Sequence, residues 1–197
     1  MRILVACEFS GVVRNAFRAR GHDAMSCDLL PTESPGPHYQ GDVRDVLGDG
    51  WDLMIAHPPC TYLSASGLHW NKRRFGRAQQ TEDALEFVRL LMAAPIERIC
   101  IENPVSAISS RIRRPDQIFQ PWMFGHSHSK STCLWLKNLP PLLPTEIAAP
   151  EYWHNGAPRY ANQTASGQDR TPPSADRWAV RSRTFQGVAD AMATQWG

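Results

Sequence analysis

The first 28 residues change hydrophobic period twice. RILVA (residues 2–6) is an unbroken apolar run of strand length, and CEFSG then breaks it. VVRNAFRARG (12–21) keeps Val12, Val13, Ala16, Phe17 and Arg20 at helical spacing until Gly21 stops it. HDAMSCDL (22–29) follows as a second strand ending at Asp28. A strand, a tight turn, a helix and a second strand in so short a span imply a right-handed βαβ unit with two parallel strands in one sheet.

The rest of the chain extends that pattern. PTESPGPHYQG (31–41) reads as a Pro/Gly loop, and WDLMIAHPP (51–59), after the polar turn GDG, as a third strand. TEDALEFVRLLMAA (81–94) puts Ala84, Phe87, Val88 and Leu91 on one face, with acids in the first turn and Pro95 just past the end, which predicts a helix. ERICIENP (97–104) gives a fourth strand and KSTCLWLKNL (130–139) another. Residues 140–176, rich in Pro, Ala, Ser, Thr and Asn, predict an irregular surface segment, and RTFQGVADAMATQWG (183–197) a helix interrupted by Gly187. The expectation is an α/β fold with a Rossmann-like, mainly parallel sheet and helices on both faces. It forms a single domain over 1–197: a core at 1–139, the irregular segment at 140–176, and a C-terminal helix at 177–197 packed back on the core. A chain of 197 residues buries a sufficient core without disulfides or structural metals.

The cysteines, Cys7, Cys27, Cys60, Cys100 and Cys133, are odd in number and scattered, and no CxxC pair suggests zinc. With no signal-like opening and no apolar run of membrane-spanning length, a cytoplasmic location is expected and no membrane partner. The net charge is only +2, but residues 1–60 carry five Lys/Arg and eight Asp/Glu while 61–197 carry sixteen and eleven. The basic residues cluster at Lys72, Arg73, Arg74 and Arg77, at Arg111, Arg113 and Arg114, and at Arg177, Arg181 and Arg183. Any one cluster reads as a solvated face; three together favour a phosphate-bearing substrate.

Ligands of an open α/β sheet bind at the carboxyl ends of its strands. The first four strands end at Cys7-Glu8-Phe9-Ser10-Gly11, at Asp28, at His57-Pro58-Pro59-Cys60 and at Glu102-Asn103-Pro104. Four reactive endings in register mark a site. Asp28 stands where an acid commonly accepts hydrogen bonds from a ribose. CEFSG keeps one glycine where a dinucleotide fingerprint has three, so NAD is not expected; S-adenosylmethionine, which has no pyrophosphate, suits the turn better. Two prolines hold Cys60 at a strand edge as a candidate nucleophile, while Cys7, Cys27, Cys100 and Cys133 read as buried and inert. Glu102 ends an apolar strand, where burial is expected to raise its pKa. A proton-sharing glutamate activates a pyrimidine by donating to N3 while a thiolate adds at carbon 6. Carbon 5 then becomes nucleophilic toward the methyl group of a sulfonium donor.

In this ordered set the chain resembles the DNA cytosine-5 methyltransferases, and specifically the small methyltransferase-like proteins of phages and prophages. An acid after strand two, a Gly-Asp pair, a Pro-Cys nucleophile and a Glu-Asn pair are matched by Asp28, Gly41-Asp42, Pro59-Cys60 and Glu102-Asn103, with similarity running through residues 1–110. The resemblance implies an S-adenosylmethionine-dependent methyltransferase fold and assigns Cys60, Glu102, Pro59 and Asn103 to catalysis. It places the methyl donor against Glu8, Phe9, Ser10, Gly11 and Pro58, its ribose at Asp28 and its adenine at Asp42. Lys72, Arg73, Arg74, His126, Lys130, Thr132, Arg181 and Arg183 become candidate substrate-binding residues. The family's glycine-rich donor loop is thinned here to Phe9-Ser10-Gly11, and FGHSHSKSTCLWL stands in place of its Gln-Arg-Arg motif. No large DNA-recognition domain is expected within 140–176.

The expected activity is methyl transfer from S-adenosylmethionine to carbon 5 of cytosine, in DNA or a nucleotide, with the basic clusters, a second copy or a protein partner supplying affinity for DNA. An amino-group methyltransferase is the alternative enzyme, since His57-Pro58-Pro59 fits its frame although Cys60 takes the aromatic slot. The alternative of another class is a catalytically idle nucleic-acid-binding relative.

Overall fold

The computed structural model describes residues 1–164, 171, 174 and 177–197. The opening unit is as its periodicity predicts: β1 (Arg2–Ala6), α1 (Val12–Arg18) and β2 (Asp23–Asp28), with β1 and β2 parallel. The Pro/Gly stretch 31–41 is not all loop, because His38–Gln40 forms β3 beside β2. Then come β4 (Leu53–Ala56), α2 (Arg77–Met92), β5 (Arg98–Pro104), α3 (Ile108–Arg111), β6 (Gln117–Phe119) and β7 (Thr132–Lys137). The helix expected at 81–94 therefore starts a turn earlier. The strand expected at 51–59 is shorter, since Pro58 and Pro59 leave the ladder one residue beyond it.

The strands form one sheet in the order β3-β2-β1-β4-β5-β7-β6. β1 to β5 are parallel, β7 runs antiparallel to β5, and β6 antiparallel to β7. This is a mainly parallel α/β sheet with its topological switch between β1 and β4, where the strand order reverses direction.

Both faces of the sheet are covered, and β1 shows why its apolar run is continuous. Ile3 and Val5 point to the layer containing Val13 and Phe17 of α1 and Val188, Ala189 and Met192 near the C-terminus. Leu4 and Ala6 point to the opposite layer, with Leu85, Val88 and Leu91 of α2 and Ile108 of α3. Successive strand side chains alternate faces, so a strand buried on both must be apolar at every position.

Residues 140–176 are not wholly irregular: β8 (Glu151–Tyr152) and β9 (Pro158–Arg159) pair as a separate antiparallel hairpin. Residues 165–170, 172–173 and 175–176 of that stretch lie outside the described residues. The C-terminal helix is two helices, α4 (Arg177–Ser182) and α5 (Gln186–Gln195). Gly187 lies in the first turn of α5 and does not break it. A Cβ there would fall on the Phe124 carbonyl oxygen, so glycine permits the close approach of helix and chain. Among the described residues, no helix is long and apolar enough to cross a membrane.

Candidate active site

A cleft of about 930 Å³ opens at the carboxyl ends of the parallel strands. Cys7, Glu8, Phe9 and Ser10 after β1, Asp28 ending β2, His57 to Cys60 after β4, and Glu102 and Asn103 in β5 all line it. Lys130, Arg177, Trp178 and Arg181 line it as well. A second hollow of about 420 Å³, between Met92, Ile99, Trp135 and Lys137, has no carboxylate or thiol in its lining.

The turn after β1 is built around a carboxylate. Glu8 is buried, and its oxygens accept from the backbone N–H groups of Val13 at 2.7 Å and Arg14 at 3.2 Å, with Ser10 Oγ donating at 3.3 Å. The start of α1, where a dinucleotide would seat its pyrophosphate, is thus already capped by a negative group. Gly11, at φ 75°, makes the turn and leaves space for the guanidinium of Arg14. That guanidinium, fully buried, donates to Ser26 Oγ (2.9 Å), Thr32 Oγ1 (3.2 Å), Ser34 O (2.8 Å) and Pro35 O (3.1 Å). One side chain of α1 therefore fixes the Pro/Gly loop beside the cleft. Cys7 holds a left-handed φ of 58° and faces the cleft, so it is not the fully buried residue expected; burial still pushes its thiol far up.

The reactive wall follows from strand register. β4 and β5 pair as Ile55↔Cys100 and Ala56↔Ile101, and the next step sets His57 beside Glu102. His57 Nδ1 and Glu102 Oε2 share a hydrogen bond of 2.9 Å, with both side chains largely buried. His57 Nε2 is buried and has no partner among the described residues. The expectation of a raised pKa for Glu102 is overturned. Burial pushes its carboxyl up, but the hydrogen bond and charge of His57, with Lys130, outweigh that and hold it below the usual carboxylate value. His57 was visible in the sequence as the start of HPPC, but its partnership with a residue 45 positions away needs the strand pairing.

Asn103 is buried and donates through Nδ2 to Pro58 O at 2.8 Å, pinning the two prolines. Pro59 precedes a single 3₁₀ turn, Cys60–Tyr62, whose first carbonyl accepts from Leu63 and Ser64. Thr81 of α2 donates to Tyr62 O at 3.0 Å and anchors that turn. Cys60 is solvent-exposed in the cleft, while Cys27, Cys100 and Cys133 are buried, and all five cysteines are free. The cleft wall and the charge of Glu102 push the Cys60 thiol up, opposed by Lys130 and Arg181. Asp28 is also raised, by burial, against the backbone N–H of Leu30 and the charge of His38.

Several expected contacts lie elsewhere. Asp42 caps a 3₁₀ turn by accepting from Arg44 N at 2.9 Å and is not in the cleft wall. His126 accepts from Gly187 N at 2.9 Å and packs on Phe185, which makes it a fastener of α5. Thr132 is buried and donates to Lys130 O. Arg183 pairs bidentately with Glu33, at 2.8 and 2.7 Å. Lys72, Arg73 and Arg74 are exposed outside the cleft lining. Lys130 and Arg181 do face the cleft, with Lys130 Nζ donating to Arg181 O at 3.0 Å. The sequence pattern gave no sign of Trp178, whose ring stands 5.6 Å from that of Phe9, and marked Arg177 only as part of a basic cluster.

No protein-family model and no curated protein matches the chain. A solved E. coli chain, described as a candidate DNA modification methyltransferase encoded within a prophage, is similar at 14% identity with a TM-score of 0.47. The match covers 75% of this chain and 52% of that one, so this chain spans about half the length of that neighbour.

Proposed function

We propose that this protein transfers a methyl group from S-adenosylmethionine to carbon 5 of cytosine, in DNA or a nucleotide, through a transient bond to Cys60. The observation that carries this reading is the convergence of Cys60, a solvent-accessible cysteine, and a hydrogen-bonded His57–Glu102 pair on one cleft that Asp28 and the Phe9-Ser10 turn complete.

The chain's residues fit that methyl donor better than a dinucleotide. The carboxylate of Glu8 takes the donors at the start of α1 that a phosphate would need, and a cationic sulfonium group is favoured near Glu8 and Asp28. Phe9, Ser10 and Pro58 would line the donor, and Asp28 would accept from its hydroxyls. When bound, the donor supplies an electrophilic methyl group.

Cys60 and the His57–Glu102 pair act on the ring. The Cys60 thiolate forms a bond to carbon 6, and the proton held between His57 and Glu102 passes to N3, so that carbon 5 gains electron density. Once carbon 5 carries the methyl group, the N3 proton returns to the pair and solvent water takes the carbon 5 proton; the electron pair of that C–H bond restores the ring double bond and expels Cys60 as thiolate. Asn103 positions Pro58 and with it Cys60. Lys130 and Arg181 favour the thiolate, and a substrate phosphate would find the same cations.

Mass spectrometry of nucleosides from DNA incubated with the protein and isotopically labelled donor tests the reading. Labelled 5-methylcytosine is expected. Labelled N4-methylcytosine would establish the amino-group alternative, and no labelled base would support an idle nucleic-acid-binding relative.

A further inference from the structure

The chain leaving the Cys60 turn runs through Ser64 and Ser66 in the cleft wall and a 3₁₀ segment, Ala65–Lys72, to a tip at Phe75-Gly76. We propose that residues 69–77 on this tip bind an unpaired stretch of nucleic acid beside the target base, with Phe75 as a stacking platform and Lys72, Arg73 and Arg74 on the phosphates. The proposal rests on the nucleic-acid reading of the cleft and names the form in which that substrate is held.

Phe75 has a relative exposure of 110%, although phenylalanine is among the side chains most often buried. Gly76 takes a left-handed φ of 73° immediately before α2, which turns the chain sharply and leaves the ring at the tip. The ring is flanked by exposed cations that the protein does not neutralise. Arg44, Arg89, Arg111, Arg113, Arg159 and Arg183 each have a carboxylate partner, whereas among the described residues Lys72, Arg73 and Arg74 have none. The nearby acids of α2 are engaged elsewhere: Glu82 with Arg111, Glu86 with Arg89, and Asp83 with Gln79.

The arginines are also ordered. The Arg74 guanidinium lies 4.3 Å from the Trp70 ring centroid, and that of Arg77 lies 4.3 Å from the ring of Tyr62. A free aromatic face among unneutralised cations matches the two requirements of single-strand binding, stacking on a base and attraction to the backbone. A ring on a tip, outside any groove-filling helix, reaches the face of an unpaired base more readily than the edge of a paired one.

Fluorescence anisotropy with a labelled oligodeoxynucleotide of about 20 nucleotides, longer than the roughly 4–16 that small single-strand-binding folds occupy, tests this. Single-stranded and duplex forms are compared at salt concentrations from about 50 to 200 mM. Phe75→Ala is expected to weaken single-strand binding about 5- to 100-fold and to leave thermal unfolding unchanged, since the ring is fully exposed. Replacing Lys72, Arg73 and Arg74 by Ala is expected to flatten the salt dependence by about 0.7 in logarithmic slope for each phosphate no longer neutralised. Single-strand affinity unchanged by Phe75→Ala, or duplex binding weakened as much as single-strand binding, would overturn the proposal. Calorimetric titration of the same variants with S-adenosylmethionine separates the two readings. Retained donor binding with unchanged oligonucleotide affinity removes the surface alone, and a wild-type protein that binds neither removes the cleft reading as well.

Discussion

Cys60 needs its thiolate to react, and the cleft sets two opposing fields on it. Burial against the cleft wall, and after it the charge of Glu102, push the thiol up, while Lys130 and Arg181 draw it down. The net rise means that, without substrate, alkylation of Cys60 by iodoacetamide should keep accelerating with pH through the neutral range, up to and beyond the ordinary thiol value of 9.0. Glu102→Gln removes a negative charge and should speed alkylation several-fold at fixed pH, and Lys130→Ala should slow it, with Cys60→Ser as the control for Cys7. Equal rates in wild type and Glu102→Gln would show that the two residues are not electrostatically coupled. The residue types of this wall were legible in the sequence because each sits where a strand ends. The charge state of Glu102 was not, because it depends on His57, which only the β4–β5 register brings to 2.9 Å.

Elements were legible in proportion to their length and period. β1, α1 and α2 carry enough residues for an apolar pattern to stand out, whereas β3 and β6 have three residues each, too few for one. The reversed direction of β7 leaves no mark on its sequence, since TCLWLK is equally apolar whichever way it runs. Gly187 misled for a different reason: glycine disfavours helix interiors, yet here it lies one residue into α5, where contact with Phe124 decides. Gly187→Ala should therefore destabilise the protein despite the better helix propensity of alanine. Overpacking of this kind costs about 1–3 kcal/mol, a fall in melting temperature of roughly 2–12 °C for a chain of this size. A melting temperature equal to or above that of wild type in a calorimetric scan would show that α5 shifts freely away from Phe124.

On the scale of the whole molecule, the parallel part of one mixed sheet places four strand ends from residues 7 to 103 around one cleft, and that convergence is the reason for reading it as a catalytic site. Glu8, Phe9 and Asp28, proposed above for the donor, stand at the ends of β1 and β2, and Cys60 and Glu102, proposed for the base, belong to the β4 and β5 side of the point where the strand order reverses. The central claim is that Cys60 attacks carbon 6 of cytosine, and covalent trapping tests it most directly. Fluorine at carbon 5 cannot leave as a proton does, so a substrate containing 5-fluorocytosine, incubated with S-adenosylmethionine, should remain bonded to the protein. Intact-mass spectrometry should then show one adduct, mapped to the peptide containing Cys60 and absent from Cys60→Ser. Turnover of the fluorinated substrate with no adduct, or full activity in Cys60→Ser, would contradict the account.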